Sequence, residues 1–386
     1  MAILPGATIG FLGGGQLGRM AAMAARSLGY GVAVLDPDPR CPAAAIADRC
    51  VAASFDDEAA ADELARGCAV VTYEIERIAP AALARAAARA PLRPSPRLLE
   101  LVQDRARQKR WLREQGFPVG PYAEARSPAE ALAAALSLGG SLRFKACQGG
   151  YDGRGQARAE GEAEAARAFG EIGGVPCVAE RELDLAAELS VLVARRPAGE
   201  TRLFPVARNW HEHGILRVSV LPGELPGDVA ERARSIARAM AERLGLEGLL
   251  AVEFFWTKGG ELFVNELAPR PHNTFHATEA ACPTSQFEQL VRAICDLPLG
   301  ATEPARPTAL VNLLGDLWLA ASPPDLPGAL ELPGVRLHLY GKEPRRGRKI
   351  GHLLAEAETS AAALELVREA AARLSPAMAA ELPPGL

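Results

Sequence analysis

The chain has 386 residues, 49% of them hydrophobic, and a formal net charge of −4. That length allows two or three domains with a substantial core, and the acidic balance argues against a binder of nucleic acid or anionic membranes. No apolar run reaches the roughly 18 residues of a membrane span, no signal-peptide pattern opens the chain, and the seven cysteines, without a C-x-x-C, read as free thiols of a reducing cytoplasm.

Residues 7–12 (ATIGFL) predict a short buried strand, followed by the turn GGGQLG and an Ala-rich helix that ends at Gly29. Gly13, Gly15 and Gly18 fit G-x-G-x-x-G, and Asp36 ends the next strand, GVAVLD. Together they form the fingerprint of a dinucleotide-binding turn. CAVVTYEIE predicts a further strand, so residues 1–96 read as a Rossmann-like parallel sheet closed by the boundary PLRPSP.

Residues 97–116 predict one Arg-rich helix. SLRFKACQGGYDGRGQARA then reads as strand, glycine loop, strand, and residues 175–195 as two strands around an acidic connection. DVAERARSIARAMAERLGL predicts an amphipathic helix, and GLLAVEFFW-TKGG-ELFVNEL a β-hairpin. These elements make a central α+β domain over residues 97–300. A small C-terminal unit, 301–386, holds the strand signal GVRLHLYGKEPRRGRKIGHL and an Ala-rich last helix.

Positive charge is written almost wholly as arginine: 38 Arg against Lys109, Lys145, Lys258, Lys342 and Lys349. A lysine in this background points to a need for a compact ammonium, with Lys258 in the turn TKGG read as chance. Pairing Trp256 with Glu261 across the hairpin places Glu253 opposite Val264, with Glu266 its diagonal neighbour on one face. Two readings stay open there: a Mg²⁺-binding carboxylate pair, or two exposed acids on an edge hairpin. The four glycines of FKACQGGYDGRGQ, with Lys145, Asp152 and Arg154, suggest a polyphosphate cradle and a closing lid; the pattern is not a Walker A loop. NELAPRPHNTFH places Arg270, His272 and Asn273 beyond Glu266, Arg270 suiting a planar oxyanion. His272 and His276 are four apart, but no third ligand is evident and zinc is not expected. Lys342, Arg345, Arg346, Arg348 and Lys349 form a dense basic loop in an acidic chain, a phosphate site for a small substrate.

In order, GGGQLGRM, YEIE, GGYDGRGQ, NWHEHGILR, NELAPRPHN, TSQFEQ and GRKIGHL run through nearly the whole chain. They resemble the N5-carboxyaminoimidazole ribonucleotide synthases, ATP-grasp enzymes of bacterial purine biosynthesis. The resemblance implies an ATP-grasp domain over 97–300, with a lid subdomain at about 115–180. It also implies a homodimer and ATP-dependent carboxylation of 5-aminoimidazole ribonucleotide by bicarbonate through carboxyphosphate. Arg105 and Lys145 are then expected on the ATP phosphates, and Gly150, Tyr151, Asp152, Gly153, Arg154, Gly155 and Gln156 in the lid. Glu180, Arg181, Glu182 and Leu183 are expected at the adenine, Glu188 at the ribose, and His211 and Asn265 in the nucleotide site. Glu253 and Glu266 are expected to bind Mg²⁺, or Mn²⁺ in its place. Arg270 and Asn273, with Tyr151, Asp152 and Arg154, are expected around bicarbonate and substrate. Lys342, Arg348 and Lys349 are expected to hold the ribonucleotide phosphate, with Gln16, Leu17 and Glu74 opposite. His272 is a candidate acceptor for the amine proton. On this reading the glycine turn offers its amides to the ribonucleotide rather than to NAD.

Thr274 and Phe275 stand where relatives usually carry Ser-Gly, Ala277 where an aromatic is common, and Cys147 where polar or basic residues are usual. Three other readings are weaker. A formate-using glycinamide ribonucleotide transformylase usually carries Asp at the place of Asn273 and lacks GGYDGRG. An NAD(P)-dependent oxidoreductase leaves Lys145, Glu253 and Glu266 unexplained. A catalytically silent nucleotide-binding module sits poorly with a full set of ligands.

Overall fold

In the computed structural model, which describes residues 1–150, 155–380 and 382, the N-terminal apolar runs become four parallel strands. They are β1 (Thr8–Leu12), β2 (Gly31–Asp36), β3 (Arg49–Ala52) and β4 (Val70–Tyr73), in the order β3-β2-β1-β4. Alternate residues divide the two faces of the sheet. Ile9, Phe11, Val32 and Val34 share a core with Leu17, Met20, Ala21 and Ala25 of α1 (Gln16–Ser27). Leu12, Leu35 and Val71 share another with α2 (Glu58–Ala65) and α3 (Pro80–Arg89).

The single helix expected over 97–116 is two, α4 (Pro96–Val102) and α5 (Arg105–Glu114). Asp104 between them is extended, and its carboxylate accepts from the Arg107 amide at 2.9 Å. An aspartate at that position restarts a helix better than it continues one, and the break sets Arg105 at the head of α5. Next comes a four-stranded antiparallel sheet, ordered β5-β8-β6-β7. Its strands are β5 (Tyr122–Ala125), β6 (Ser141–Ala146), β7 (Gln156–Glu160) and β8 (Cys177–Arg181), with α6 (Pro128–Leu138) and α7 (Ala165–Glu171) packed on it.

The remaining strands form one sheet: β9 (Leu185–Arg195), β10 (Thr201–Leu203), β11 (Ala207–Glu212), β12 (Ile215–Leu221), β13 (Gly248–Thr257), β14 (Leu262–Ala268), β15 (Thr308–Leu314), β16 (Val335–Leu339) and β17 (Lys349–Glu356). The order is β14-β13-β9-β11-β12-β15-β17-β16, with β10 beside β9. The expected unit from 301 therefore has no sheet of its own: β15 pairs with β12, Val311 opposite Val218, and carries the central sheet onward. Leu189, Val191, Val252 and Phe254 pack under Val229, Ala233, Ala237 and Met240 of α8 (Gly227–Arg243). The intervening Glu188, Ser190 and Glu253 fall on the opposite face, Glu253 directly across from Ser190. Helices α9 (Thr278–Ala281) and α10 (Gln286–Ile294) follow the hairpin; α11 (Leu326–Leu330) and α12 (Ser360–Leu374) pack on the C-terminal strands. Among the described residues no helix is long and apolar enough to cross a membrane.

Candidate active site

At the junction of the two antiparallel sheets, the Glu180 carboxylate lies between two buried ammoniums, 2.6 Å from Lys145 Nζ and 3.0 Å from Lys109 Nζ. Burial opposes ionisation of Glu180, but the two lysines overcome it and hold the carboxyl far below its usual range. Burial pulls Lys109 down, as do the charges of Lys145 and Arg105, with Glu180 opposing. Lys145 also reaches Asn265 Oδ1 at 3.4 Å. Arg105 pairs with Glu266 at 2.8 Å and reaches the Gly150 carbonyl at 3.5 Å. Arg181, Glu182 and Leu183 continue from β8 into the connection to β9, beside a cleft of about 250 Å³ shared with the hairpin turn. Glu182 is bonded by Arg143 at 2.7 Å and Arg158 at 2.8 Å, and the Arg181 side chain is exposed.

The hairpin register differs from the expected one. Trp256 pairs with Leu262, and Val264 faces Phe254. That pairing alone would turn Glu266 to the opposite face from Glu253. A bulge corrects it: between the pairs Phe254–Val264 and Val252–Leu267, Glu253 is opposed by two residues, Asn265 and Glu266. Asn265 donates to Glu253 Oε2 at 3.1 Å, and His272 Nε2 lies 3.2 Å from Oε1. Burial raises the Glu253 carboxyl, yet the bond and charge of His272, the charge of His211 and the Asn265 amide bring it down to about 2. His211 Nδ1 lies 2.7 Å from Glu188 Oε2. Gln286 clamps the backbone of His272 from both sides, accepting from its amide at 2.9 Å and donating to its carbonyl at 3.0 Å. The two ionisable, hard-oxygen side chains fit Mg²⁺, which takes one or two carboxylates and completes its shell with phosphate oxygens and water.

The glycine turn is closed by the protein's own carboxylates. Glu74 accepts from the amides of Gly15 (2.8 Å) and Gly18 (3.1 Å), and Asp36 from Gly14 (2.8 Å). The expectation that these amides face a ligand is corrected: the positive end of α1 is already neutralised. The glycines are required sterically. A Cβ at Gly18 would stand 2.6 Å from the Gly13 carbonyl oxygen, one at Gly15 2.7 Å from Glu74 Oε1, and one at Gly14 would overlap Cys41 Sγ. Burial raises the Glu74 carboxyl, and the two amides, Lys342 and Arg270 counter it. Leu17 is buried in the helix core rather than open to a ligand.

Gln16, first residue of α1, joins three parts of the chain: Lys342 Nζ bonds its Oε1, and its Nε2 donates to Asn273 Oδ1 at 3.3 Å. Arg270 reaches Glu76 Oε1 with Nε at 3.1 Å and Nη2 at 3.0 Å. The basic loop is held down by Gly315, where a Cβ would overlap the Arg345 backbone, and by Asp316, which accepts from the Gly347 amide at 2.6 Å. Arg348 donates to the Glu343 carbonyl at 3.2 Å within the loop, and Lys349 is buried as the first residue of β17. Arg345 is 72% exposed and Arg346 is exposed.

Tyr151, Asp152, Gly153 and Arg154 lie outside the described residues; Gly150, Gly155 and Gln156 flank them at the Lys145 end of β6 and β7. His272 and His276 do not converge, since His276 Nε2 turns to Asn273 Oδ1 at 3.2 Å. Thr274, Phe275, Ala277 and Cys147 are all buried, Phe275 against Phe204. The structure adds Lys109, which the sequence singles out only as a rare lysine, and Glu76, which it leaves without a role. The scarcity of lysine was a signal for the first, and the second acid of YEIE for the other.

Three family models match: the ribonucleotide synthetase preATP-grasp domain over residues 6–103, the ATP-grasp domain over 110–287, and the phosphoribosylaminoimidazole carboxylase C-terminal domain over 308–366. The chain is 42% identical over 352 residues to an N5-carboxyaminoimidazole ribonucleotide synthase of Brucella melitensis, covering 90% of this chain and 96% of that one. It superposes with a TM-score of 0.90 and 41% identity on an N5-carboxyaminoimidazole ribonucleotide synthetase in complex with ADP, over 96% of this chain and 97% of that one. A similar enzyme of Aspergillus clavatus, in complex with ADP and 5-aminoimidazole ribonucleotide, matches with a TM-score of 0.87 and 30% identity over 96% and 99% of the two chains.

Proposed function

This chain belongs to the N5-carboxyaminoimidazole ribonucleotide synthase family of ATP-grasp ligases, and we propose that it carboxylates 5-aminoimidazole ribonucleotide with bicarbonate. ATP is cleaved to ADP and phosphate in this step of purine biosynthesis. The observation that carries the reading is the path of residues 265–276. Within twelve residues it passes from Asn265 and Glu266, beside Lys145, Arg105 and Glu253, to Asn273, beside Gln16 and Lys342. A phosphate-handling site and a site closed by the basic loop thus share one short segment.

Bicarbonate oxygen attacks the γ-phosphorus of ATP, ADP leaves, and carboxyphosphate forms. Lys145 and Arg105 turn from their carboxylate partners to the phosphates and offset the developing charge. Glu253 and Glu266 are the residues that would hold Mg²⁺, or Mn²⁺, which supplies charge neutralisation at the phosphates when bound. Glu180 to Leu183 meet the adenine and Glu188 the ribose, with His211 oriented by Glu188. Gly150, Gly155 and Gln156, at the Lys145 end of β6 and β7, stand where the reactive intermediate needs shielding from water. The carboxyl carbon then bonds to the substrate amine, phosphate leaves, and His272 accepts the amine proton through Nδ1, which has no hydrogen-bond partner among the described residues. Arg270 and Asn273 orient the carboxylating group, while Lys342, Arg348 and Lys349 hold the ribonucleotide phosphate. Glu74, its lone pairs already partly used by the turn, accepts from sugar hydroxyls rather than opposing the phosphate.

We place the enzyme in the cytoplasm, as a homodimer, with units at 1–96, 97–300 and 301–386. Light scattering on the purified chain tests the dimer. For the reaction, ADP release is measured with bicarbonate and 5-aminoimidazole ribonucleotide added separately and together. The expected result is full release with both and ¹³C from labelled bicarbonate in the product. Release that ignores bicarbonate, or that responds to formate instead, sinks the reading.

A further inference from the structure

Beside the basic loop, six side chains from distant stretches of the chain touch one another in a closed circuit. Lys342 Nζ bonds Gln16 Oε1, and Gln16 Nε2 donates to Asn273 Oδ1 at 3.3 Å. His276, from the 3₁₀ turn Asn273–Ala277, brings its Nε2 to the same oxygen at 3.2 Å. The His276 ring stacks on His352, with centroids 4.4 Å apart and planes 10° from parallel. His352 Nδ1 lies 2.6 Å from the Tyr340 hydroxyl, and the Tyr340 ring sits 5.6 Å from Lys342 Nζ, which closes the circuit. His276, His352 and Tyr340 are all buried. The stack runs on to His338, the cross-strand partner of His352, whose Nδ1 is 3.9 Å from Glu279 Oε2. Phe287 covers the His276 ring as well, at 5.7 Å.

The hydrogen bonds of this circuit have a direction, and Lys342 sets it. An ammonium only donates, so Gln16 must turn Oε1 to Lys342 and Nε2 to Asn273. That Nε2 also only donates, so Asn273 must accept through Oδ1. His276 Nε2 faces the same oxygen and therefore carries the ring proton. Its Nδ1 is then a lone pair, and it has no hydrogen-bond partner among the described residues. Burial, chiefly, and the charges of His338, Lys349, His272 and Lys342 keep the ring neutral. Asn273 Oδ1 thus takes two donors. Its Nδ2, on a half-buried side chain, donates to none of the described residues.

We propose, resting on the carboxylation reading above, that Gln16 and His276 are positioning residues that lock the Asn273 amide with its Nδ2 toward the carboxylating group. The two ends of an amide are alike in size, so its partners decide which way it points. Held this way, Asn273 donates to a carboxyl oxygen of carboxyphosphate. Turned over, it sets a carbonyl lone pair against that anion. Lys342 has three N–H donors, so it can keep Gln16 while it takes phosphate. The stack on His352 and Phe287 fixes the plane from which His276 donates. The consequence is coupling. Carboxyphosphate that is not held reacts with water to give bicarbonate and phosphate, after its ADP has already formed.

The test compares ADP released with product carrying ¹³C from labelled bicarbonate, at saturating ATP and ribonucleotide. The wild type should form the two in equal amounts. Gln16→Glu keeps the shape and the Lys342 bond but has no donor for Asn273, whose Nδ2 then turns to the carboxylate. Losing a hydrogen bond to a charged group slows carboxyl transfer by ~10-fold or more while hydrolysis keeps its rate, so ADP should exceed product by ~2-fold or more. His276→Leu should shift the ratio in the same direction. His276→Gln, whose Nε2 can take the place of the imidazole Nε2, should bring it back. If His276→Leu fails to fold, Gln16→Glu, at a half-buried side chain, decides alone. Variants that lose ADP and product together, at the ratio of the wild type, overturn the proposal, because a merely structural role lowers both alike. A wild type that releases ADP without labelled product overturns the carboxylation reading, and the proposal with it.

Discussion

Glu180 balances Lys109 and Lys145 in one buried cluster, so its removal leaves two ammoniums uncompensated. Breaking such a cluster typically costs ~3–5 kcal/mol, and urea denaturation of Glu180→Gln should show a loss of that size. A loss below ~1 kcal/mol would mean that water or other partners already solvate the lysines. His211 has the opposite linkage. Burial lowers its pKa, but the bond and charge of Glu188 more than reverse this, so the folded value is raised above 6.5. The resulting stability is fully present below pH 6.5 and is lost as pH rises through the raised folded value. Stability measured from pH 6 to 9 should therefore fall in the wild type and fall less in Glu188→Gln. Equal slopes in the two proteins would show that the pair does not hold the proton.

At the scale of elements, two local irregularities position the site. The bulge of β14 places Asn265 and Glu266 together opposite Glu253. If Glu266 acts with Glu253 on the metal, Glu266→Gln should keep the fold and lower kcat by at least ~100-fold. Near-normal turnover at ordinary Mg²⁺ would dismiss the assignment. The glycine turn is the second irregularity. Gly18→Ala sets a methyl 2.6 Å from the Gly13 carbonyl oxygen, next to Glu74. Overpacking of this kind costs about 1–3 kcal/mol. Thermal unfolding should show the loss, and the KM for the ribonucleotide should rise while that for ATP holds. Unchanged stability would show that the turn has room to spare.

Across the whole molecule, the end proposed for the ribonucleotide is assembled from distant parts of the chain: Gln16 from the start of α1, Asn273 after the hairpin, Lys342 from the basic loop. If Lys342 holds the ribonucleotide phosphate as proposed, Lys342→Ala removes a charge-assisted contact worth ~1.5–3 kcal/mol, a ~10- to 150-fold rise in the KM for the ribonucleotide by the rule of ~1.4 kcal/mol per decade. The KM for ATP should move far less, because Lys145, Arg105 and Glu266 stand at the other end of the segment. A variant that weakens ATP and spares the ribonucleotide would exchange the two sites.

The strands β1, β2, β4, β6 to β9, β13 and β14 and the hairpin were legible in the residues, because periodicity and turn composition act over a few neighbours; the short strands β3, β5 and β10 and the central β11, β12 and β15 were not. GVAVLD is β2 to the residue, and the glycine loop does connect two paired strands. The motifs, read together and in order, were enough for the family. Contacts between residues far apart in the chain were not legible. The hairpin turn could not reveal a bulge whose extra residue is decided by pairing along β13. The fingerprint at Gly13–Gly18 reads the same whether a dinucleotide or the chain's own Glu74 and Asp36 fills it, and only the fold brings Glu74 there, 59 residues from Gly15. His276, Glu279, His338 and His352 carry no spacing signal, since α9, β16 and β17 meet only when β15 extends the central sheet. Local chemistry determined the elements and the family. Long-range strand pairing, which sequence periodicity does not encode, decided which side chains meet.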